Sequence, residues 1–377
     1  MFLLNLHFAP FFFAFGFVEF FGPVYLLSLG YALYQVTAYW MFFFTLRLIL
    51  RPFLVALCHH LGFKKTFKLA IVLFAGRYLF YAALFINSQI LIALLLYESF
   101  ASILYWLLYH AAFAATSSSK TGRDVAWRDS ILNGVRLISP ISGAAIIHYA
   151  GFTFAYLLAF VIALTSVLPI LKIDLKGITL PTFKWKSLFQ TEMSGFWLYG
   201  TSAFHEYGHN FLWKIALYLY LSTYVGYGGL LSLAMLFQIF GAFVIANYFD
   251  TKQHVWPALI GICLLIVVIL CRSFVDLSVA RIVGLDVLAM IGTVLFFTLV
   301  STINYSRSKG SRNPLWYQTL SESGWDIGAI FTLSISTLLL GLGHDIRPIM
   351  SVAIIGIIGS GIALWKFSPH HNQKKII

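Results

Sequence analysis

Three features of this 377-residue chain predict an all-α membrane protein, with twelve transmembrane helices in two pseudo-symmetric six-helix bundles: its composition, its apolar segments and the placement of its basic residues. Hydrophobic residues make up 60% and charged residues 10%, and the mean hydropathy is +0.87, well outside the range of soluble domains. Apolar segments of the roughly 20 residues needed to cross hydrocarbon recur along the whole chain. Basic residues concentrate in every second gap between them: Lys64, Lys65 and Lys68; Lys120, Arg123 and Arg128; Lys172, Lys176, Lys184 and Lys186; Lys252; Arg307, Lys309 and Arg312; and a tail with Lys366, Lys374 and Lys375. Only Arg272, Arg281 and Arg347 lie near the other gaps. Lys and Arg are retained on the cytoplasmic side, so this alternation predicts a multi-pass protein of the cytoplasmic (inner) membrane with both termini cytoplasmic. The formal net charge of +12 then reflects attraction to anionic lipid headgroups and not nucleic-acid binding. Cys58, Cys263 and Cys271 lie in or at the ends of apolar segments without paired spacing, which argues against a disulfide framework or a zinc finger.

Taken in order, the spans run over about 3–27, 33–58, 66–86, 90–115, 130–149 and 152–172, then 191–220, 227–249, 255–273, 278–304, 314–340 and 347–367. The first has no basic n-region and no small-residue cleavage site, so it reads as a retained helix. Very short loops, such as Asn87-Ser88-Gln89 between the third and fourth spans and His148-Tyr149-Ala150-Gly151 between the fifth and sixth, make consecutive helices antiparallel neighbours. The longest connection, with Gly177, Pro181 and four lysines, divides the chain into a first bundle at 1–172, a basic cytoplasmic linker at 173–190, a second bundle at 191–367 and a tail at 368–377.

The two halves read as copies offset by about 188 residues. That shift carries Glu98 onto Asp286, and Ser102, Tyr105 and Tyr109 onto Met290, Thr293 and Phe297. Glu19 falls within one residue of Glu206, and Trp127 within one of Trp316. Acidic residues inside a bilayer are rare and costly, so their coincidence outweighs any match of leucines. Repeated six-helix halves are a transporter architecture with the site near the midplane.

The loop after the second span reads Val55-Ala56-Leu57-Cys58-His59-His60-Leu61-Gly62-Phe63-Lys64-Lys65. It resembles the Gly-x-Leu-Ala-Asp-Arg-x-Gly-Arg-Lys motif of the major facilitator superfamily, with His59 and His60 where Asp and Arg are usual. A weaker second copy ends Asn247-Tyr248-Phe249-Asp250-Thr251-Lys252, with Asn247 in the aspartate place. Pro140-Ile141-Ser142-Gly143-Ala144 is similar to the core of the motif common in antiporters of that family. The chain is thus identified as a divergent member with degraded loop motifs. The resemblance implies a central cavity lined by spans one, four, seven and ten, and the expectation is a monomer working by alternating access.

The residues of those spans carry the chemistry such a cavity needs. Glu98, Ser102, Tyr105 and Tyr109 form one helical stripe in span four, with Trp106 and His110 beside it. Span seven presents Ser202, His205, Glu206, His209 and Asn210, and span ten presents Asp286, Thr293 and Ser301. Facing lipid, each polar group would cost several kcal/mol, so they face water or one another. Glu19, Glu98, Glu206 and Asp286 are therefore candidates for proton coupling, with buried ion pairs to Arg47, Arg77, Arg136 or Lys214 as the alternative role. Tyr105, Trp106 and Tyr109 suit a cationic or amphipathic solute through cation–π contact. Glu322 and Asp326, four residues apart, repel unless a proton or cation intervenes, and Arg136 is placed to approach them. Arg136, Glu322, Asp326, His59 and Asn247 form the expected gating set between the halves.

His205-Glu206-Tyr207-Gly208-His209 also matches His-Glu-x-x-His, the spacing that sets two imidazoles and a general base around zinc. Three uses remain open for it: cavity lining, transition-metal or cation binding, and intramembrane proteolysis, the last lacking a third ligand. Gly226-Tyr227-Gly228-Gly229 has no following Lys-Ser/Thr, so no phosphate-binding loop supplies ATP directly. The expectation is a secondary transporter and not an enzyme, moving a small solute by proton exchange, with protons and the lipid bilayer as its other partners, no cofactor and no nucleic acid.

Overall fold

A computed structural model describes residues 2–118, 121–173, 175, 191–252, 255–311 and 313–368. With no water in hydrocarbon, backbone N–H and C=O groups must bond within the chain, and the apolar segments accordingly close as helices. These are α1 (Phe2–Ser28), α2 (Leu33–Leu61), α3 (Phe63–Ala83), α4 (Gln89–Thr116), α5 (Thr121–Thr165) and α6 (Val167–Lys172). After the linker come α7 (Ser194–His205), a π-helical turn (Glu206–Phe211), α8 (Leu212–Leu221), α9 (Tyr224–Lys252), α10 (Trp256–Phe274), α11 (Val279–Gly310), α12 (Pro314–Gly341), α13 (Ile346–Ile349), a 3-10 turn (Met350–Val352) and α14 (Ala353–Phe367). Among the described residues, nine helical stretches are long and apolar enough to cross a membrane, and the chain is a multi-pass integral membrane protein.

One of the nine, Arg123–Lys172, is 50 residues long. Straight, it would reach about 75 Å, more than twice the hydrocarbon thickness. Gly151, at φ 80°, breaks it where a loop was expected, because glycine enters the left-handed region without a Cβ clash. The start of α5 differs from the expected 130. The helix begins at Thr121 and draws Arg123 and Arg128 out of the predicted loop. Arg128 is buried, donating to the Tyr305 hydroxyl at 2.7 Å and to Asp129 at 2.7 Å, with its guanidinium 5.1 Å from the rings of Phe113 and Tyr305. These contacts replace the water a loop arginine would have. Most of the linker and the tail, 176–190 and 369–377, lie outside the described residues, as do the side chains of His59 and Asn247.

The helices pack in a pattern that recurs. In the first half α1 lies on α5, α2 on α4 and α3 on α4; in the second α7 lies on α12, α9 on α11 and α10 on α11. The halves meet where α2 packs on α12 and α5 on α9. Small residues allow the tightest approaches, as expected where van der Waals packing replaces the hydrophobic effect. At the α7–α12 crossing a Cβ on Gly328 would run into the carbonyl of Gly200, and one on Gly324 into that of Phe196. Between halves, a Cβ on Gly228 would stand 2.5 Å from the Pro140 carbonyl oxygen.

Gly328→Val is expected to lower the thermal midpoint in detergent, since overpacking costs about 1–3 kcal/mol. Gly284→Ala, at a site with nothing within 4 Å, should leave it unchanged or slightly higher.

Candidate functional site

A cavity of about 310 Å³ lies between the halves. Its wall mixes aromatic rings with charged groups contributed by helices of both halves. Each charge stands inside an apolar stretch, and its position is understood only with its partner.

Glu98, on α4, accepts bonds from Arg77 (2.8 Å), Tyr39 (2.9 Å) and Tyr81 (3.1 Å), so its carboxylate is fully engaged. Glu19, on α1, is shared by two cations, Arg136 of α5 at 3.0 Å and Lys214 of α8 at 3.1 Å, the second reaching across from the other half. Glu322 and Asp326 of α12 are held by Arg47 and Arg51 of α2. Arg47 lies 2.8 Å from Glu322 and 3.2 Å from Asp326, and Arg51 binds Asp326 and donates to the Glu322 carbonyl at 3.3 Å. His110 adds its Nε2 at 3.3 Å from Glu322 and its Nδ1 to the Tyr305 hydroxyl. This cluster bridges the α2–α12 contact between the halves. Arg136, expected either to approach this pair or to form an ion pair with one of the cavity acids, takes the second role with Glu19, and Arg47 and Arg51, one helical turn apart, match the one-turn spacing of Glu322 and Asp326.

Glu206 differs from the other cavity acids. It accepts from Asn210 Nδ2 at 2.7 Å, yet among the described residues no cation lies within 4.0 Å of it. It opens the π-helical turn, a local widening that offsets the faces of α7 and α8 and is often found at functional sites. Trp40, Phe43, Tyr207, Phe211 and Trp325 line the same cavity. Their rings also contact one another, Trp40 with Phe211 at 5.5 Å and Tyr207 with Trp325 at 6.2 Å. Tyr109 Oη, Ser301 Oγ and Gln238 Oε1 belong to buried residues of the wall and have no partner among the described residues.

Of the other expected residues, Trp106, Tyr109 and His110 line the cavity. Tyr105 does not. It stacks on Phe11 at 3.7 Å and bonds His7 Nε2 at 3.0 Å, within the core of the first half. His205, His209 and Asp286 are buried outside the cavity wall. Asp286 is bound by Arg272 and by Trp213 Nε1 at 2.9 Å. Arg272 also stands 3.1 Å from His209 Nε2. A guanidinium beside that nitrogen competes for its lone pair and repels a second cation, so the three residues of the His-Glu-x-x-His match do not converge on a metal. Among the described residues, no group of three His, Cys, Asp or Glu side chains is placed to hold one.

Several site residues escaped the sequence reading. Arg272 reads in sequence as a loop-proximal charge, although its place one helix before Asp286 parallels that of Arg77 before Glu98. The i, i+4 spacing of Arg47 and Arg51 was the available sign of their acidic partners. Nothing in the apolar runs marks Trp40, Phe211 or Trp325 as cavity residues.

Truncating one member of a buried ion pair strands its partner, at a cost of about 3–5 kcal/mol. Asp326→Ala should therefore lower the thermal midpoint strongly, and Arg51→Met combined with Asp326→Leu should restore most of it. Additive losses in the double variant would argue against the pairing.

No family model and no curated protein matches the chain by sequence. Solved structures do match it along nearly its whole length. A bacterial homologue of the iron transporter ferroportin, in an outward-facing state, aligns with TM-score 0.72 and 14% identity over 97% of this chain and 98% of that one. The human organic anion transporter MFSD10 (TETRAN) aligns with TM-score 0.67 and 14% identity over 97% of each chain. FucP, a major facilitator superfamily transporter in the outward conformation, gives TM-score 0.67 and 12% identity over 97% of this chain and 98% of that one. The chain has the fold of the major facilitator superfamily transporters.

Proposed function

We propose that this protein is a secondary transporter that moves a small organic solute by alternating access and exchanges it against protons. In this reading the chain crosses the cytoplasmic membrane twelve times in bundles 1–172 and 191–367, with both termini inside. The observation that carries the reading is the cavity between the halves: at about 310 Å³ it has the size of a small-molecule site. It also lies where the substrate site sits in transporters built from repeated bundles.

Further support comes from the bonds that cross between the halves at each end. Thr37 and Thr337 hydroxyls lie 2.9 Å apart and the Tyr227 hydroxyl donates to the Phe20 carbonyl at 2.9 Å, on the side assigned as outer. Lys309 donates to the carbonyls of Ser117 and Ser118 at 2.7 and 2.8 Å on the inner side. The hydroxyl bonds contribute about 0.5–1.5 kcal/mol net each and those from the Lys309 ammonium about 1.5–3 kcal/mol, small beside the α2–α12 ion pairs that also join the halves. For coupling, a proton entering Glu19, Glu98 or Glu322 must displace a bound cation. Among the described residues Glu206 has no such pair to break, and it is the residue assigned to proton exchange. Metal movement at His205 and His209 is disfavoured by the Arg272 contact.

In proteoliposomes, Glu206→Gln is expected to bring pH-driven accumulation of solute down to the rate seen without a gradient, while solute counterflow at saturating concentration persists. Unchanged pH-driven accumulation would remove Glu206 from coupling. Topology is tested separately by cysteine labelling. Positions 88 and 226 should react from outside and position 309 only from the cytoplasm, and the reverse pattern would overturn the orientation.

A further inference from the structure

The charges of the cavity wall pair off with one left over at each of two places. Glu98 is matched by Arg77, Asp129 by Arg128 and Glu322 by Arg47, at 2.8, 2.7 and 2.8 Å. Behind the wall Asp326 and Arg51 match each other. Glu19 then has both Arg136 and Lys214, one positive charge more than it neutralises, while among the described residues no cation lies within 4.0 Å of Glu206. The wall as a whole is balanced, yet it is locally positive at Glu19 and locally negative at Glu206. Desolvated charges are costly unless compensated, so the two places call for opposite partners.

Both belong to the same helical run. Lys214 follows Glu206 by eight residues, about 12 Å along the axis, and both side chains line the cavity. The side chains themselves cover part of that distance. Rings of Trp40, Tyr207, Phe211 and Trp325 also line the wall, and such faces favour an apolar body and a cation.

We propose that the cavity takes an amphoteric solute, whose cationic group pairs with Glu206 and whose anionic group pairs with Lys214 and Arg136, the two separated by an apolar spacer. The inference rests on the transporter reading for its site and specifies the solute class that reading leaves open. On this proposal an α-amino acid, with both charges on one carbon, is expected to bind less well than a longer zwitterion. ω-Amino acids and the aromatic analogue 4-(aminomethyl)benzoate sample the longer spacings.

The test uses the full-length protein in detergent, with calorimetric binding of 4-(aminomethyl)benzoate and of ω-amino acids of increasing chain length. Each is compared with its methyl ester, which keeps only the cation, and its N-acetyl form, which keeps only the anion. At least one of these zwitterions is expected to bind about tenfold tighter than both blocked forms, the effect of one charge-assisted contact at each end. Glu206→Gln should bring it down to the N-acetyl form, and Lys214→Gln to the ester. The second variant leaves Glu19 paired one-to-one with Arg136, and unchanged thermal midpoints would show that both variants fold. If every zwitterion binds no better than its ester, the anionic end is wrong; if none exceeds its N-acetyl form, the cationic end is wrong. Either result overturns the proposal. Flux assays after reconstitution of the same proteins into liposomes separate the two readings. Charge-selective binding without flux sinks transport and keeps the amphoteric site, whereas flux of an uncharged solute unaffected by Glu206→Gln keeps transport and sinks the site.

Discussion

A charge inside a bilayer has no water to fall back on, and the interior of this protein is arranged around that constraint. Breaking a buried ion pair leaves an uncompensated charge at a cost of several kcal/mol, so each pair links the helices that supply its two members. Arg77 ties α3 to α4 through Glu98, and Arg272 ties α10 to α11 through Asp286. Arg47 and Arg51 bind α2 to α12, and Glu19 draws α1, α5 and α8 together. The apolar helices pack through small residues and van der Waals contact, which are weakly directional. The ion pairs supply the register that such packing lacks.

Two of these pairs correspond under the offset between the halves. Glu98 and Asp286, 188 residues apart, each bind an arginine from the preceding helix and each also accept from aromatic side chains, Tyr39 and Tyr81 in one case and Trp213 in the other. The surroundings then diverge. Arg77 and Glu98 line the cavity, whereas Arg272 and Asp286 are buried away from it beside His209. The other corresponding pair diverges in charge. Glu19 is bound by two cations, and Glu206, within one residue of it under the offset, by none among the described residues. A repeat in sequence thus becomes an asymmetric cavity, and that asymmetry underlies the proposed preference for a solute with two opposite charges.

The π-helical turn at Glu206–Phe211 gives the His-Glu-x-x-His segment its character. His205 and His209 stack with their ring centroids 5.6 Å apart and pack away from the cavity, and Glu206 lines the cavity wall. A motif that depends on three groups meeting at one point is divided between the interior of the second half and the space between halves. The match in sequence is real, but the spacing alone does not say which way the helix faces.

Composition and segment length were enough to predict an all-α, multi-pass membrane protein, because each follows from transferring the chain itself between water and hydrocarbon. The acidic positions Glu19, Glu98, Glu206 and Asp286 were also legible, since a carboxylate in an apolar run stands out without knowledge of its neighbours. Which cation each one meets was not. Arg136 was open to Glu322 or to one of the cavity acids and lies beside Glu19, Arg272 read as a loop charge and is buried with Asp286, and Tyr105 shared a stripe with cavity residues yet packs in the core. Pairing depends on distances of about 3 Å between side chains on different helices. Those distances are set by how helices cross and rotate, and only the tertiary structure decides them.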